Sequence, residues 1–521
     1  MNFLRLPDIL LTVLFENDDI IAIDKPYGFN AHTNDSKIEH SDFIQDGLIE
    51  IFEKQIEKKL HVIHRLDQTT TGVMIFGKST ESAKKYAEFF FNRQVKKTYL
   101  FITKSVSKNS SFLIDQEIIH KGKNLDAKTN LSILKKSKSF ELWQANPHTG
   151  RNHQIRIHAK AAEISILGDS KYEGHSYPFL CLHNHKIEFP NGITITSKPP
   201  VYFDDLTILE DTQLAKMCFE ADRRLRLFQN LADSNPCYRL IHNKNNAKDA
   251  GFFLDVFGPT MVLSWFKESW TESDFNRFTF LAKLMNKNIT VRFSNKSQLN
   301  ILANHLLQSA KWTTTENEAN FEIRTDSGNS VGLFLNQRLQ RNWVFKNAEN
   351  KTVLNLFSHT GTFSLMAANG KATTVTSVET NKAALNWSKQ NFELNHLSLE
   401  KYTFLCRDSL SYIESASIKK QKFDLIICDA PSFIRREKGV FKIENNLEDL
   451  IKNCLMCLNP NGHLLFSTTF DDFYIGSVQK IILKVQSLLK IQLEINCILP
   501  SLDFELPDEK ANLKSFLIKL C

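Results

Sequence analysis

At 521 residues and 42% hydrophobic composition, the chain has enough apolar surface for two or three cores. Its net charge of only +7, from 65 Lys and Arg against 58 Asp and Glu, excludes nucleic-acid binding through a bulk field and leaves that task to local basic faces. The nine scattered cysteines show neither paired zinc-ligand spacing nor a secreted disulfide framework, which fits a reducing cytoplasm. Cys454 and Cys457 form a C-x-x-C inside an apolar run, where helix packing is the expected reason, so no metal site is expected. Arg5, Asp8 and Glu16-Asn17-Asp18-Asp19 interrupt the amino-terminal apolar residues, and no run elsewhere is long enough for a bilayer, so neither export nor a membrane anchor is expected.

From Leu14 to about Pro200, short apolar strands, turns and a few helices predict an α+β domain dominated by antiparallel sheet. From about Asp205 to Asn230 the composition turns helical and charged, with Leu206, Leu209, Leu214, Met217, Leu225 and Leu227 among Arg223, Arg224 and Arg226, which predicts a connector. Segments Cys237 to Trp265 and Asn288 to Arg324 read as strands around helices in a modest α+β region. After Lys351 the order strand, glycine turn, helix repeats, as in a doubly wound parallel sheet. The expected domains are thus 1–204, a helical connector 205–235, an accessory region 236–330 and a Rossmann-like domain 331–521.

The run His64-Arg65-Leu66-Asp67-Gln68-Thr69-Thr70-Thr71-Gly72 sets an acid beside cations on a tight, polar, glycine-ended turn. An Asp67 whose charge is offset by Arg65 can face a cleft, which suits a nucleophile. Taken singly, Asp67 reads first as a turn or cap residue, Tyr99 as a half-buried strand residue, and Arg156, between Ile155 and Ile157, as part of a solvated strand face. Their joint order favours the catalytic reading. The entry strand with Lys25-Pro26-Tyr27-Gly28, the Asp67 loop, Lys97-Thr98-Tyr99, Thr149-Gly150-Arg151-Asn152-His153-Gln154-Ile155-Arg156-Ile157-His158 and Gly168-Asp169 through Tyr172 to Gly174 resemble, in order, the motifs of the RluA family of RNA pseudouridine synthases. Glu173 is one residue more than that family's last motif contains.

Turning uridine into its C-glycoside isomer breaks the N1–C1′ bond and rejoins the base through C5, with no redox change, and needs no cofactor. A carboxylate can attack the sugar–base centre, a phenol can stack on the base and help move the C5 proton, and a guanidinium can keep the carboxylate ionised. By resemblance these roles fall to Asp67, Tyr99 and Arg156. Reaching a stacked uridine requires base flipping, and Arg65 is placed to fill the gap left in the RNA. The expected RNA-contacting set is His64, Arg65, Arg151 and His153, with His64 read foremost as an anchor of its loop.

In the last third, Thr352 to Phe363 reads as an apolar strand, a polar turn with Gly361, then a helix, which lets backbone N–H groups approach a ligand. Successive strands end at Glu379, placed to accept from ribose hydroxyls, at Cys406-Arg407-Asp408 and at Asp429-Ala430-Pro431. No G-x-G-x-x-G is present, which disfavours a dinucleotide. The run Leu354-Asn355-Leu356-Phe357-Ser358-His359-Thr360-Gly361, with Val331 to Arg338 and Cys237 to Gly258 upstream, resembles class I 23S ribosomal RNA methyltransferases of the RlmK and RlmI groups. The resemblance implies S-adenosylmethionine held by Phe334, Arg338, Asn355, Phe357, Gly361, Glu379, Asp408 and Asp429, with Asp429 also on the base-facing loop. Asn336 and Ala430 depart from the groups' Asp and Pro.

The target base turns on a thiol. Cytosine C5 methylation needs a thiolate, and where RlmI-type enzymes carry it this chain has Phe466-Ser467-Thr468-Thr469-Phe470. Guanine N7 is itself a nucleophile and needs only alignment, so guanine N7 is the expected target, with Cys428 as the residue that would serve a cytosine enzyme instead. The chain thus reads as a bifunctional cytoplasmic enzyme acting on RNA, 23S ribosomal RNA foremost and transfer RNA as an option for the pseudouridine half. No obligate protein partner is evident. The alternatives are cytosine C5 methylation and an RNA-binding assembly factor with one inactive half; a small-molecule or protein methyltransferase is disfavoured.

Overall fold

Two strands without a polar face, Ile20–Lys25 and Thr71–Gly77, pair antiparallel at the centre of the first half, Ile23 opposite Met74, and both are buried throughout. A strand covered on both faces reads as a near-continuous apolar run, which is why neither sequence alternates, and the charged end Asp24-Lys25 is buried against hydrogen-bond partners. The computed structural model describes residues 2–4, 6, 10–33, 47–104, 107–120, 122–228, 236–243, 251–266, 270–293, 311–325, 330–436, 439–504 and 513–521. Contacts divide the chain into one unit of Ile9–Asp233 and a second of Met1–Asp8 with Ser234–Cys521.

In the first unit the main sheet runs Val13–Glu16, Ile20–Lys25, Thr71–Gly77, Leu182–Glu188, Lys96–Thr103, Glu141–Pro147, Lys128–Lys136, Ser111–Asp115. These pairs are antiparallel except Leu182–Glu188 beside Thr71–Gly77, so the α+β, antiparallel-dominated reading holds. Helix Thr80–Phe91 starts at Ser79, whose side chain accepts from the Ser82 amide.

The expected connector is instead built into this unit. Helix Thr212–Phe228 buries Ala215, Met217, Cys218, Ala221, Leu227 and Phe228, and Phe219 stacks on Phe179 at 4.3 Å and meets Tyr27 edge-on at 4.9 Å. Arg226, 5% exposed, donates to Asp24, 8% exposed, and to Asp222. A guanidinium satisfied by two carboxylates can be buried, so Arg226, one of the arginines that suggested a connector, belongs to the core. The tail of the expected connector, 229–235, lies outside the described residues.

In the second unit an eight-stranded sheet runs Thr403–Cys406, Thr374–Glu379, Thr352–Leu356, Phe423–Asp429, Leu458–Thr468, Lys514–Leu520, Leu493–Ile498, Asn2–Leu4. Only Lys514–Leu520 runs antiparallel to its neighbours. Strand order reverses between Thr352–Leu356 and Phe423–Asp429, and the crevice at the carboxyl ends of such a switch point is where doubly wound sheets bind ligands. Asn2–Leu4 pairs in parallel with Leu493–Ile498 and covers the sheet edge, so the first residues belong here and not to a domain 1–204.

The accessory region forms an antiparallel run of Cys237–Asn243, Phe252–Phe257 and Thr260–Trp265, to which Asn288–Phe293 adds in parallel. Hairpin Lys311–Glu316 and Ala319–Arg324 docks on helix Lys382–Leu394, with the Glu322 amide donating to Asn391 Oδ1 at 3.0 Å and the Asn320 amide to Asn395 Oδ1 at 2.8 Å. This ties the accessory region to the methyltransferase-like sheet in one unit. The expected strand content at 294–310 lies outside the described residues. Among the described residues, no helix is long and apolar enough to cross a membrane.

Candidate active sites

Asp67 lies on the loop entering the buried strand Thr71–Gly77, at the floor of a cleft of about 1540 Å³ that also takes in Arg65, Tyr99, Arg151, His153 and Arg156. Arg156 reaches it from helix Gln154–Ala161, so the strand-face reading of Arg156 does not apply. Its Nη1 donates to Asp67 Oδ2 at 3.1 Å, while Nε and Nη2 grip Asp169 at 2.7 and 2.8 Å. With Asp169 fully buried, the planar guanidinium is fixed by one carboxylate and presented to the other. The helix begins at His153, itself left-handed at φ 55°, whose Nδ1 pairs with the Tyr172 hydroxyl at 2.8 Å and whose Nε2 lies 3.7 Å from Asp67.

The loop is fixed from below by Lys25. Its buried ammonium donates to the carbonyls of Pro26, Gln68 and Thr70 at 3.1, 3.0 and 2.9 Å. Burial pulls this lysine down to about 7, and the Asp67 charge opposes that pull. Gly28, at φ 94°, donates its amide to the Gln68 carbonyl at 2.9 Å, so the Lys-Pro-x-Gly turn and the Asp67 loop are stitched together. Tyr99 points from strand Lys96–Thr103 into the cleft, and burial together with the Asp67 charge raises its pKa, keeping the phenol protonated. Beside it Lys97 donates to the Thr149 carbonyl at 2.8 Å and is lowered by burial to about 8.

Of the expected RNA-contacting residues, Arg65 is exposed at the mouth of the cleft and Arg151 lines it, with its Nε on the Asp126 carbonyl at 2.9 Å. His64 is committed inward: its Nε2 accepts from the Ile75 amide at 3.2 Å and its ring stacks on Phe90 at 5.0 Å. Burial lowers it to about 4, so it is neutral at pH 7 and anchors the loop. Lys25, Asp169 and Tyr172 were visible only as motif letters; nothing in the sequence showed that one lysine would tie three carbonyls, or that Asp169 would aim Arg156.

In the second unit the turn after strand Thr352–Leu356 carries left-handed Phe357 and His359 and Gly361 at φ 72°. A Cβ on Gly361 would stand 1.8 Å from Ser388 Oγ, so glycine is required where the turn crosses helix Lys382–Leu394. Glu379 Oε2 accepts the His359 amide at 2.9 Å and Oε1 the Asn381 amide at 2.8 Å, which orients the carboxylate and leaves lone pairs for ribose hydroxyls. The Phe357 amide is held by Ser409 Oγ at 2.9 Å, and Asp408 caps helix Ser409–Ile418 through the Ser411 amide at 2.8 Å. Buried Asn355 props the turn through Ser364 Oγ at 2.9 Å. Phe334, 46% exposed, stands 5.3 Å from the His359 ring.

Asp429 ends strand Phe423–Asp429 opposite Ser467 and accepts from Gln337 Nε2 at 2.8 Å. Burial pushes it up to about 7 against the opposing pull of Arg341 and Gln337. Arg338 differs from expectation: its buried guanidinium donates to the Cys237 carbonyl at 3.1 Å and to Asp503 at 2.9 and 3.1 Å, a strut whose donors are already spent on protein. Gln337 was missed because a lone Gln carries no sequence signal. Cys428 is 0% exposed and shares a hydrogen bond with Cys454, so it faces the core. Ser358 Oγ, on the ligand-facing turn, is buried without a hydrogen-bond partner, and with Glu379 and the turn amides it fits a polar ligand such as S-adenosylmethionine.

The first cleft therefore has the carboxylate, phenol and guanidinium of a base-isomerising enzyme, and the second has the switch-point cleft of a class I methyltransferase fold. Residues 19–161 match the RNA pseudouridylate synthase family, and residues 284–488 match the S-adenosylmethionine-dependent methyltransferase family. The chain is a fusion of these two enzyme families. It is 36% identical over 176 residues to the ribosomal RNA large subunit methyltransferase K/L of Shewanella sp. (strain ANA-3), covering 33% of this chain and 25% of that protein. To the protein of that name from Pseudoalteromonas translucida (strain TAC 125) it is 35% identical over 173 residues, covering 33% of this chain and 24% of that one. The chain thus spans about a quarter of the length of these curated relatives. A solved structure of SMU.776, a proposed methyltransferase in complex with SAH, is 27% identical with a TM-score of 0.50, covering 66% of this chain and 88% of that one.

Proposed function

We propose that the chain isomerises uridine to pseudouridine in RNA with Asp67 as nucleophile, and methylates an RNA base from S-adenosylmethionine in its second unit. The observation that carries the first activity is the Arg156 bridge, which holds Asp67 in one cleft with the half-buried Tyr99 phenol. Arg156 orients the Asp67 carboxylate for attack on the sugar–base centre, Tyr99 supports the detached base and the movement of the C5 proton, and exposed Arg65 occupies the space the flipped nucleotide vacates.

In the second unit, S-adenosylmethionine when bound supplies an electrophilic methyl group. Glu379 and the turn at Phe357–Gly361 hold the cofactor's ribose, and Asp429 with Gln337 orders the base-facing loop. Guanine N7 is the target we favour, because Ser467 stands opposite Asp429 and Cys428, the residue before Asp429 in sequence, is turned into the core. Similarity to large-subunit ribosomal RNA methyltransferases supports 23S ribosomal RNA as the substrate. The test is methylation of ribosomal RNA from a strain lacking the gene, followed by borohydride and aniline: cleavage at the methylated nucleotide is expected, and an uncleaved product together with loss of activity in Cys428→Ala would instead favour cytosine C5.

A further inference from the structure

Helix Thr80–Phe91 ends on three phenylalanines in a row, and successive helical positions are turned about 100° apart, so one core cannot take all three. Phe89 and Phe90 pack on Phe189, at 6.2 and 5.8 Å between ring centres, and Phe90 also stacks on His64, the anchor of the Asp67 loop. Phe91 is left 87% exposed, yet it lines the same cleft as Asp67. A single exposed apolar side chain is ordinary on a protein surface. This one shares its rim with two guanidinium groups.

Arg93, two residues on, closes the helix: its amide donates to the Phe90 carbonyl at 3.1 Å and the Gln94 amide to the Phe89 carbonyl at 2.9 Å, with Arg93 left-handed at φ 58°. Glycine usually takes this place, because a side chain there carries a backbone cost. The side chain that occupies it lines the cleft. Arg93 Nη2 donates to Asp126 Oδ2 at 2.9 Å, and Arg151 Nε to the Asp126 carbonyl at 2.9 Å, so one residue draws both guanidinium groups to the rim. The Arg93–Asp126 pair is more than half exposed on both sides, and such a pair holds its cation weakly, so a phosphate competes well for it. An exposed ring interleaved with guanidinium groups holds unpaired nucleotides, the ring taking a base face and the cations the phosphate oxygens.

We propose that Phe91, Arg93 and Arg151 form a platform for an unpaired nucleotide flanking the target uridine, its base stacked on Phe91 and its phosphate held by the two arginines. The assignment rests on the pseudouridine synthase reading above and adds a substrate class to it: RNA whose chain is open beside the target, since a base closed in a duplex has no free face for the ring.

The test follows tritium release by the full chain from 23S ribosomal RNA transcribed with 5-tritiated uridine, as wild type, Phe91→Ala, Phe91→Leu, Phe91→Trp and Arg93→Gly. KM for RNA should rise on the order of tenfold in Phe91→Ala and Phe91→Leu with kcat little changed, and return near wild type in Phe91→Trp, because stacking needs an aromatic face. Arg93→Gly keeps the left-handed backbone and removes only the side chain, so it should melt no lower than wild type while raising KM and weakening its salt dependence. Wild-type KM in Phe91→Ala or Arg93→Gly overturns the platform alone. So does a KM raised in Phe91→Ala and not in Phe91→Leu, the mark of apolar packing against a protein. A wild-type chain that releases no tritium from ribosomal or transfer RNA overturns the isomerase reading and the platform with it.

Discussion

Arg156 Nη1 lies 3.1 Å from Asp67 Oδ2 although 89 positions separate the two in sequence, and the same guanidinium holds buried Asp169 through its other two nitrogens. The bridge is directional, with Asp169 fixing the fork and Asp67 receiving its free end. Arg156→Lys keeps the charge and loses the fork. The rate of uridine isomerisation should fall on the order of tenfold to hundredfold, as expected for one charge-assisted bond, with little change in KM for RNA. Tritium release from 5-labelled uridine RNA measures it; a rate within twofold of wild type would make Arg156 a structural residue only.

His64 gives a pH signature. Its folded pKa, lowered from 6.5 to about 4, means the folded chain binds fewer protons than the unfolded chain between those values. The stability it contributes is therefore fully present above about 6.5 and is lost as pH falls through about 4. His64→Gln removes the titration and should flatten that part of the profile. Urea unfolding across pH 4–8 compares the two proteins, and parallel curves would contradict the placement of the ring.

The buried Asp24–Arg226 pair makes the third prediction. Arg226→Ala leaves Asp24 in the core without its cation, and should cost about 3–5 kcal/mol in the first unit's stability, against about 0–1 kcal/mol for an exposed linker arginine. Thermal unfolding distinguishes the two. A negligible shift would return the helix Thr212–Phe228 to the role of a connector.

That helix also shows where sequence stopped being readable. Asp67, Tyr99 and Arg156 were legible because several motifs in fixed order each carry chemistry that packing does not demand. Arg226 was not, since its partner Asp24 is 202 positions away and a charged helix looks the same in sequence whether its cations face water or a distant acid. Asn2–Leu4 was missed because three residues set no periodicity. Arg338 was misplaced because the motif names the residue and not its rotamer, and Asp503, which holds it, is 165 positions downstream. The switch-point cleft was legible because polar residues at successive strand ends repeat along the chain.

Glu379→Ala should weaken S-adenosylmethionine binding by about 1.5–3 kcal/mol, a tenfold to hundredfold change, because the ribose acceptor and the tie to the His359 amide go together. Calorimetry on the intact chain measures it, and unchanged affinity would remove Glu379 from the site.

A single double-label assay separates the two chemistries proposed for this chain: 5-tritiated uridine RNA and methyl-labelled S-adenosylmethionine are given to the wild type, Asp67→Asn and Glu379→Ala. The wild type should release tritium and incorporate methyl; Asp67→Asn should lose tritium release alone, because an amide of nearly the same shape lacks the nucleophilic charge, and Glu379→Ala should impair methyl incorporation alone. Tritium release by Asp67→Asn at the wild-type rate would remove Asp67 as the nucleophile and, with it, the assignment of isomerisation to this cleft.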